Sequence, residues 1–456
     1  MDRDTGRAEA PRSPPPPPSA TSGATAFCGL AALVGALAWM RIGHPFDNTA
    51  LAAVVVMACT AAGVFIPDLV AFRVQRRALL PRPVAQAPWD GPRILTKFAG
   101  LAASVGFVGL LYAVFPEYHA DATFYREYWS VVGPGSLLWP AWLVVAVPYI
   151  AWVDRRMARP HDGLHATGRL VTLRWRGLEW RAVGQHLLGW LVKGYFLPLM
   201  FTYFCNDLRR LLAYDLAHLD TFGALYDFAY FGMYLLDVAF VSMTYVASLR
   251  AADTHIRSSE PTLLGWVVAL ACYQPFWSLV GRQYLQYEGG RAWGSWLGPL
   301  PWLYGAWGAS ILLLLVIYVW ATVSFGARFS NLTHRGIITN GPYRYSKHPA
   351  YLAKNLSWWL ISMPFMVDVS LAETARRCAA LLLLNGIYYL RAKTEERHLS
   401  LDPLYVDYAR WIERRGVLRF VDRVPLLRAL ARWKLDDRAL RDRGPIAPEA
   451  YLAGEP

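Results

Sequence analysis

Two segments near the C-terminus carry the residue types best suited to chemistry. The first, "THRGIITNGPYRYSKHPAYLAK" (333–354), holds a polar, basic loop that Pro342 and Pro349 keep from continuing as a helix. In the second, "RAKTEERHL" (391–399), Arg391 and Glu395 are four residues apart and share one face of a helix. Apolar stretches adjoin both segments. The sequence therefore predicts a polar pocket at the boundary between lipid and water.

This predicted pocket combines carboxylates, an arginine, a histidine and several aromatic rings. Such a set suits a cationic cofactor with an aromatic head. S-adenosyl-L-methionine is a molecule of this kind, because a carboxylate can offset its sulfonium, a ring can face that charge, and its adenine can stack. The chemistry would then be transfer of a methyl group.

The ordered motifs of this region resemble those of the integral-membrane methyltransferases of the isoprenylcysteine carboxyl methyltransferase and phospholipid N-methyltransferase group. The shared pattern is a Gly-Pro-Tyr turn, a basic-His-Pro-x-Tyr element, an apolar helical hairpin and a Glu-Glu pair. The resemblance covers about residues 310–412. It implies a helical membrane enzyme that uses S-adenosyl-L-methionine and has a lipid-soluble acceptor.

The resemblance also implies roles for individual residues. Glu395 would hold the cofactor, and Arg391 would face the methyl acceptor, as in the carboxyl-methylating branch. Further cofactor contacts are implied for residues at the turn and around it: Arg335, Gly336, Ile337, Ile338, Tyr343, His348, Pro349, Ala350 and Tyr351. Tyr405 and Tyr408 are expected to pack instead.

The sequence departs from the family pattern in two places that bear on the substrate. Lys347 stands where arginine is usual, which keeps the charge but loses the bidentate fork. Ala353 stands where glycine is often found, and Lys354 and Asn355 follow it.

The acceptor could be a carboxylate or an amine. A carboxylate is already nucleophilic at neutral pH, and Arg391 would orient it by paired hydrogen bonds. An amine would need a base, for which Glu396 or His398 is a candidate. Because an arginine would repel a protonated amine, carboxyl O-methylation is favoured. The predicted catalytic residues are Arg391 and Glu396.

The elements that must position this pocket are membrane helices. Of the 456 residues, 55% are hydrophobic and 17% are charged, below the share of a soluble protein. We predict an all-α polytopic protein with about ten spans, at 26–40, 49–71, 98–115, 131–152, 185–205, 224–249, 263–280, 298–325, 350–367 and 372–390. The predicted domains are a disordered proline-rich tail (1–24), a seven-span region (25–297), the methyltransferase-like module (298–412) and a basic interfacial tail (413–456).

The charge pattern orients these spans. With ten spans and a cytoplasmic N-terminus, 36 Lys and Arg fall on the cytoplasmic side and 8 on the other. Both termini are therefore predicted to be cytoplasmic, and the net charge of +13 indicates anionic lipid partners rather than nucleic acid. The five cysteines lack metal-ligand spacing, so no metal site is expected.

Polar residues also occur in the N-terminal spans. Lys193 and Asp237 are a candidate pair, because ionisable groups inside a membrane are costly. The loop 248–266 could reach the pocket, whereas 272–284 is expected to lie at the opposite face as part of an aromatic belt. Four residues of the loop are candidates for holding a substrate headgroup: Arg250, Asp253, His255 and Arg257.

Two other functions remain open from the sequence. Membrane sterol reductases resemble this C-terminal topology and hold NADPH, although the Glu-Glu pair favours a cationic cofactor. A membrane transport or lipid-binding protein could also keep the motif as a scaffold.

Overall fold

The computed structural model describes residues 15–79, 89–119, 123–137, 139–288, 292–366 and 370–417. The helices in these ranges are α1 (Gly23–Gly43), α2 (Thr49–Val70), α3 (Gln75–Ala78), α4 (Gly91–Val114), α5 (Arg126–Ser136), α6 (Trp139–Asp154), α7 (Gly163–Val171), α8 (Trp180–Ala213), α9 (Phe222–Val246), α10 (Leu263–Leu270), α11 (Trp293–Leu297), α12 (Pro301–Val323), α13 (Pro349–Ser362), α14 (Leu371–Leu399) and α15 (Pro403–Arg415). Two short strands, β1 (Ser258–Ser259) and β2 (Thr333–His334), pair antiparallel.

Six described helices are long and apolar enough to cross a membrane: α1, α2, α4, α8, α9 and α12. They overlap the predicted spans in the same places, so the prediction of a helical membrane protein is confirmed. A seventh span would arise if 126–136 and 140–154, which meet at 74°, crossed together.

Three predicted spans have a different form. In the range 263–280, α10 ends at Leu270, and a π-helix follows at Ser278–Leu285. In the range 350–367, α13 has 14 residues, too few to span a membrane alone. In the range 372–390, α14 is long but has charged residues in its first and last turns. The described helices therefore support six or seven spans, and the count of ten stays a prediction.

The largest apolar core joins α1, α2, α8 and α9 with the end of α12. Beside it, α4 packs closely on α7. A Cβ on Gly100 would lie 2.0 Å from the Leu164 carbonyl oxygen, and one on Gly168 would lie 1.8 Å from that of Thr96. Only glycine permits this approach of the two helices.

The end of the predicted N-terminal tail is packed rather than free. Ala20 N donates to the Ile337 carbonyl at 2.8 Å, and Thr21 Oγ1 donates to the Ser324 carbonyl at 2.7 Å. Asn340 Nδ2 in turn donates to the Thr21 carbonyl at 3.0 Å. The last residues of the predicted tail are therefore packed against the end of α12 and the loop before α13, and the division of the chain into domains stays a prediction. Residues 1–14 of the tail, and 418–456 of the predicted C-terminal tail, lie outside the described ranges.

Candidate active site

A cavity of about 980 Å³, part of it open to solvent, lies among α10, α12, α13 and α14. Polar and aromatic side chains dominate its wall. Six of the predicted site residues contribute to it: Tyr343, His348, Ala350, Tyr351, Arg391 and Glu395. The structure thus brings the two predicted segments together around one space.

The turn before α13 is held in place by hydrogen bonds from α15. Gly341 has φ +56°, a conformation that favours glycine, and Pro349 occupies the first turn of α13. Tyr408 Oη donates to the Tyr343 carbonyl at 2.7 Å and to the Ser346 carbonyl at 3.2 Å. Tyr408 therefore packs, as expected, and holds the loop that carries Tyr343 against the cavity.

Glu395 lies at the cavity wall with aromatic support. Tyr351 Oη donates to Glu395 Oε2 at 2.9 Å. The His348 ring stacks on Tyr351 with 5.4 Å between centroids and an angle of 2°. The Glu395 side chain is 40% exposed, so its carboxylate remains available to a ligand.

The adjacent Glu396 has the opposite character. It is buried, and it receives His348 Nε2 at 3.1 Å, Lys347 Nζ at 3.3 Å and Lys393 Nζ at 3.0 Å. Burial alone would raise the pKa of Glu396, but the hydrogen bond from His348 and the charges of His348, Lys347 and Lys393 hold that pKa well below its usual range. Glu396 is not among the cavity-lining residues, and a carboxylate of this kind is a weak proton acceptor.

Arg391 reaches the cavity from α14 through a cage of aromatic rings. Its guanidinium carbon lies 5.4 Å from the Tyr273 ring, 5.2 Å from that of Tyr351 and 5.7 Å from that of Tyr388. Nη2 donates to Asn331 Oδ1 and to Tyr273 Oη. In the described part of the chain no carboxylate pairs with Arg391, Glu395 included.

The segment 335–338 lies behind the wall rather than in it. The buried Arg335 donates to four backbone carbonyls, those of Thr254, Thr244, Phe329 and Ala247, at 2.7–3.0 Å. Ile337 and Ile338 pack in an apolar cluster, and a Cβ on Gly336 would meet Ala20 at 2.7 Å. None of these four residues, nor Pro349, is among those lining the cavity, so their implied contact with a cofactor stays a prediction.

Sequence reasoning missed several residues of the wall. Tyr273 was expected at the opposite membrane face, but it lines the cavity and contacts Arg391, so that expectation is wrong. The helix in which Tyr273 was placed ends at Leu270, and Tyr273 lies in the break between it and the π-helix Ser278–Leu285. Asn331, Tyr318 and Thr322 also line the cavity, and no local motif marks them.

The predicted polar pair of the N-terminal spans does not form. Asp237 accepts from Tyr318 Oη at 2.5 Å and from Thr322 Oγ1 at 2.7 Å. Lys193 lies over the Trp190 ring at 5.1 Å. Asp237 therefore supports two residues of the cavity wall from behind.

The loop 248–266 does reach the cavity, although not with the residues proposed for it. Glu260 and Gly265 line the wall. Asp253 forms ion pairs with Arg257 of the same loop at 3.2 Å and with Arg328, which lies outside the loop, at 3.5 Å. None of the four headgroup candidates, Arg250, Asp253, His255 and Arg257, is a lining residue.

Among the described residues, no group of three or more His, Cys, Asp or Glu side chains could hold a metal ion.

Comparison with known proteins agrees with the motif. Residues 306–401 match the model of the isoprenylcysteine carboxyl methyltransferase (ICMT) family, which confirms the resemblance for this part of the chain. The cobalt-zinc-cadmium resistance protein CzcN of Cupriavidus metallidurans is 31% identical over 141 residues, which are 31% of this chain and 57% of that protein. The chain thus spans little more than half the length of this curated relative. No solved structure matches the chain.

Proposed function

We propose that the protein is an integral-membrane methyltransferase that uses S-adenosyl-L-methionine to methylate a carboxyl group of a lipid-soluble acceptor. The observation that carries this proposal is one cavity whose wall holds two unlike charged groups. One is an available carboxylate, Glu395, and the other is the buried Arg391, which forms no ion pair with a carboxylate of the described residues.

The residues around Glu395 fit the cofactor. When bound, S-adenosyl-L-methionine supplies an electrophilic methyl group on a positively charged sulfur. Glu395 would provide the opposite charge, and the hydrogen bond from Tyr351 would fix its orientation. The parallel rings of His348 and Tyr351 offer a flat aromatic surface beside it.

Arg391 would orient the acceptor. Asn331 and Tyr273 both accept from Nη2, so the Nε and Nη1 donors remain for an oxygen of the acceptor carboxylate. One carboxylate oxygen then attacks the methyl carbon as the carbon–sulfur bond breaks, and the bonding pair stays on sulfur. The products are a neutral ester and a neutral thioether. No proton moves, so the step needs no base, and the low pKa of Glu396 is no obstacle.

The proposed setting follows from the charge bias. We place both termini and the mouth of the cavity on the cytoplasmic side, where anionic lipids meet the basic loops. The region 25–297 would select or present the acceptor to the module 298–412.

Cofactor binding tests the proposal. We expect S-adenosylhomocysteine to bind the purified protein in calorimetry, and NADPH not to displace it. Glu395→Gln should weaken this binding at least tenfold. The matched control is Glu413→Gln, an acid that faces Lys347, is 55% exposed and is not among the cavity-lining residues. Binding of NADPH without binding of S-adenosylhomocysteine would favour a reductase and refute the proposal. Unchanged binding by Glu395→Gln would refute the role of Glu395.

A further inference from the structure

We infer that Lys354 is a second anion-binding residue of the acceptor site, and that the acceptor carries another negative group beside the carboxyl that Arg391 orients. This inference rests on the proposed function, because it concerns the same cavity. It follows from which charged residues of the cavity wall form an ion pair and which do not.

Lys354 faces the cavity without an acidic partner. It lies on α13, three residues after Tyr351, and lines the same wall as Arg391. Its Nζ is 5.2 Å from the centroid of the Tyr318 ring and 5.4 Å from that of Trp358. Within the described ranges its ammonium forms no ion pair and no hydrogen bond; it lies over aromatic faces, and the buried Asp237 carboxylate acts on it only from beyond ion-pair distance.

The acids around it are engaged elsewhere. Asp237, which Tyr318 binds, has one hydroxyl donor on each oxygen. Glu260 accepts from the backbone and hydroxyl of Thr262. Glu395 accepts from Tyr351. None of these carboxylates forms an ion pair with Lys354. Asp237 acts on it from a longer distance, so a direct counter-ion at the ammonium would have to come from a ligand.

The neighbouring Asn355, in contrast to Lys354, uses its side chain for hydrogen bonds within the protein. Its Nδ2 donates to the Tyr351 carbonyl at 2.7 Å, and its Oδ1 accepts from Asn385 of α14. Trp359 Nε1 donates to Asn385 Oδ1 at 2.8 Å. Asn355 thus ties α13 to α14. Of the two residues that follow Ala353, Lys354 lines the cavity and Asn355 does not.

Aromatic contacts connect the two cations. The Tyr388 ring contacts that of Tyr351 at 5.5 Å and that of Trp358 at 5.2 Å. Arg391 lies over Tyr351 and Tyr388, and Lys354 lies over Trp358. One aromatic wall therefore carries a guanidinium and an ammonium, and neither has a carboxylate partner. A cation at a membrane-embedded wall is costly unless a ligand neutralises it.

This arrangement fits a dianionic head on an apolar tail. The planar guanidinium suits the carboxylate that is methylated, and the compact ammonium suits a second carboxylate or another point-like anion. A neutral or singly charged head would leave one cation unmatched.

Two amphiphiles with the same C12 alkyl tail test the inference. We would measure binding of 2-dodecylsuccinate, a dicarboxylate, and myristate, a monocarboxylate, to the full-length protein with S-adenosylhomocysteine present. Calorimetry in an uncharged detergent, at a pH where all carboxyls are ionised, reports binding without requiring turnover. We expect the dicarboxylate to bind at least tenfold more tightly to the wild type, and the difference to fall below threefold in Lys354→Gln.

Two variants serve as controls. Lys354→Arg keeps the positive charge and should keep the preference even if the glutamine variant folds poorly. Lys193→Gln removes a lysine that lies over a tryptophan away from the cavity wall, and it should leave the preference unchanged.

The outcomes separate this inference from the proposed function. Equal binding of the two amphiphiles to the wild type, or a preference that survives Lys354→Gln, overturns the inference and leaves methyl transfer untouched. Weaker S-adenosylhomocysteine binding by Lys354→Gln with the preference intact also overturns it, since Lys354 would then serve the cofactor. A preference that depends on Lys354 in a protein that binds no S-adenosylhomocysteine supports the anion site and refutes the methyltransferase.

Discussion

Two groups of charged side chains among the described residues differ in whether their charges are balanced. At the start of α4, Arg93 and Lys97 surround the buried Asp154, which ends α6. Arg93 Nη2 is 2.6 Å and Lys97 Nζ is 3.0 Å from its carboxylate oxygens. Asp162 lies 3.3 Å from Lys97. We refer to these four residues as the α4–α7 charge cluster.

At the cavity wall, in contrast, Arg391 and Lys354 have no acidic partner among the described residues. The comparison shows that a charged residue in a membrane helix does not by itself mark a site. Charges that satisfy one another hold helices together, whereas charges that lack a counter-charge and face a cavity are suited to a ligand.

The largest effect on stability should come from removing an acid of the α4–α7 charge cluster. Asp154→Asn leaves Arg93 and Lys97 without their shared acid, and we expect it to lower the free energy of unfolding by about 3–5 kcal/mol. Thermal unfolding in detergent measures this. Asp90→Asn is the control, because Asp90 also binds Arg93 but is 39% exposed, and its loss should cost less than about 1 kcal/mol. Equal stabilities of the two variants would show that the cluster is not structural.

At the cavity the same kind of change should affect activity rather than stability. Arg391→Gln is expected to lower kcat/KM for methyl transfer about 100-fold, which is about 2.7 kcal/mol of transition-state stabilisation. Binding of S-adenosylhomocysteine should change less than about threefold, because Glu395 is intact.

The control for this prediction is Arg335→Gln. Arg335 gives its donors to four backbone carbonyls, so its loss should destabilise the protein. An Arg391→Gln variant that unfolds as readily as Arg335→Gln would assign Arg391 a structural role.

At the cavity, the stability of the protein should depend on pH through His398, one of the lining residues. Burial, with a smaller contribution from His334, lowers the pKa of His398 to about 4. Between pH 6.5 and 4 the unfolded chain binds a proton that the folded protein does not, so stability rises with pH in this window. From pH 7 to pH 5 this group should cost about 2 kcal/mol.

His398→Gln can keep a hydrogen bond to Ser258 and removes the titrating ring. Its unfolding midpoint should therefore depend less on pH than that of the wild type between pH 7 and pH 5. Parallel curves for the two proteins would contradict the lowered pKa.

The smallest effect is expected where the N-terminal segment meets the loop before α13. Thr21→Val removes the hydroxyl that donates to the Ser324 carbonyl and should cost about 1 kcal/mol. Thr21→Ser keeps the hydroxyl and should unfold within about 0.5 kcal/mol of the wild type. The difference in thermal midpoint between these two variants measures how much the hydrogen bond of Thr21 stabilises the protein. Equal midpoints would show that this hydrogen bond contributes nothing to stability.

The sequence predicts the parts of the site that are close together in the chain. The Gly-Pro-Tyr turn, Pro349 and the four-residue spacing of Arg391 and Glu395 are local, so the helix starts and the convergence of the two segments follow from them. The six long apolar helices were predictable for the same reason, since their signal lies within each helix.

Two features of the site depend on distant contacts and could not be predicted. Tyr273 and Asn331 reach Arg391 from 118 and 60 residues away. Glu395 and Glu396 are adjacent, and only the rotation of α14 decides that one faces the cavity and the other meets three cations. The packed segment 15–22 was missed because its hydrogen bonds are made to residues some 300 positions later.

The central claim is that Arg391 orients a carboxylate for methylation. The most direct test incubates purified protein with a total lipid extract and S-adenosyl-L-methionine labelled in its methyl group, then treats the lipids with mild base. A methyl ester releases its label as methanol under these conditions, whereas an N-methyl group does not. We predict base-labile label in the wild type and about 100-fold slower labelling by Arg391→Gln. Base-stable label, or no label in the wild type, would contradict the account.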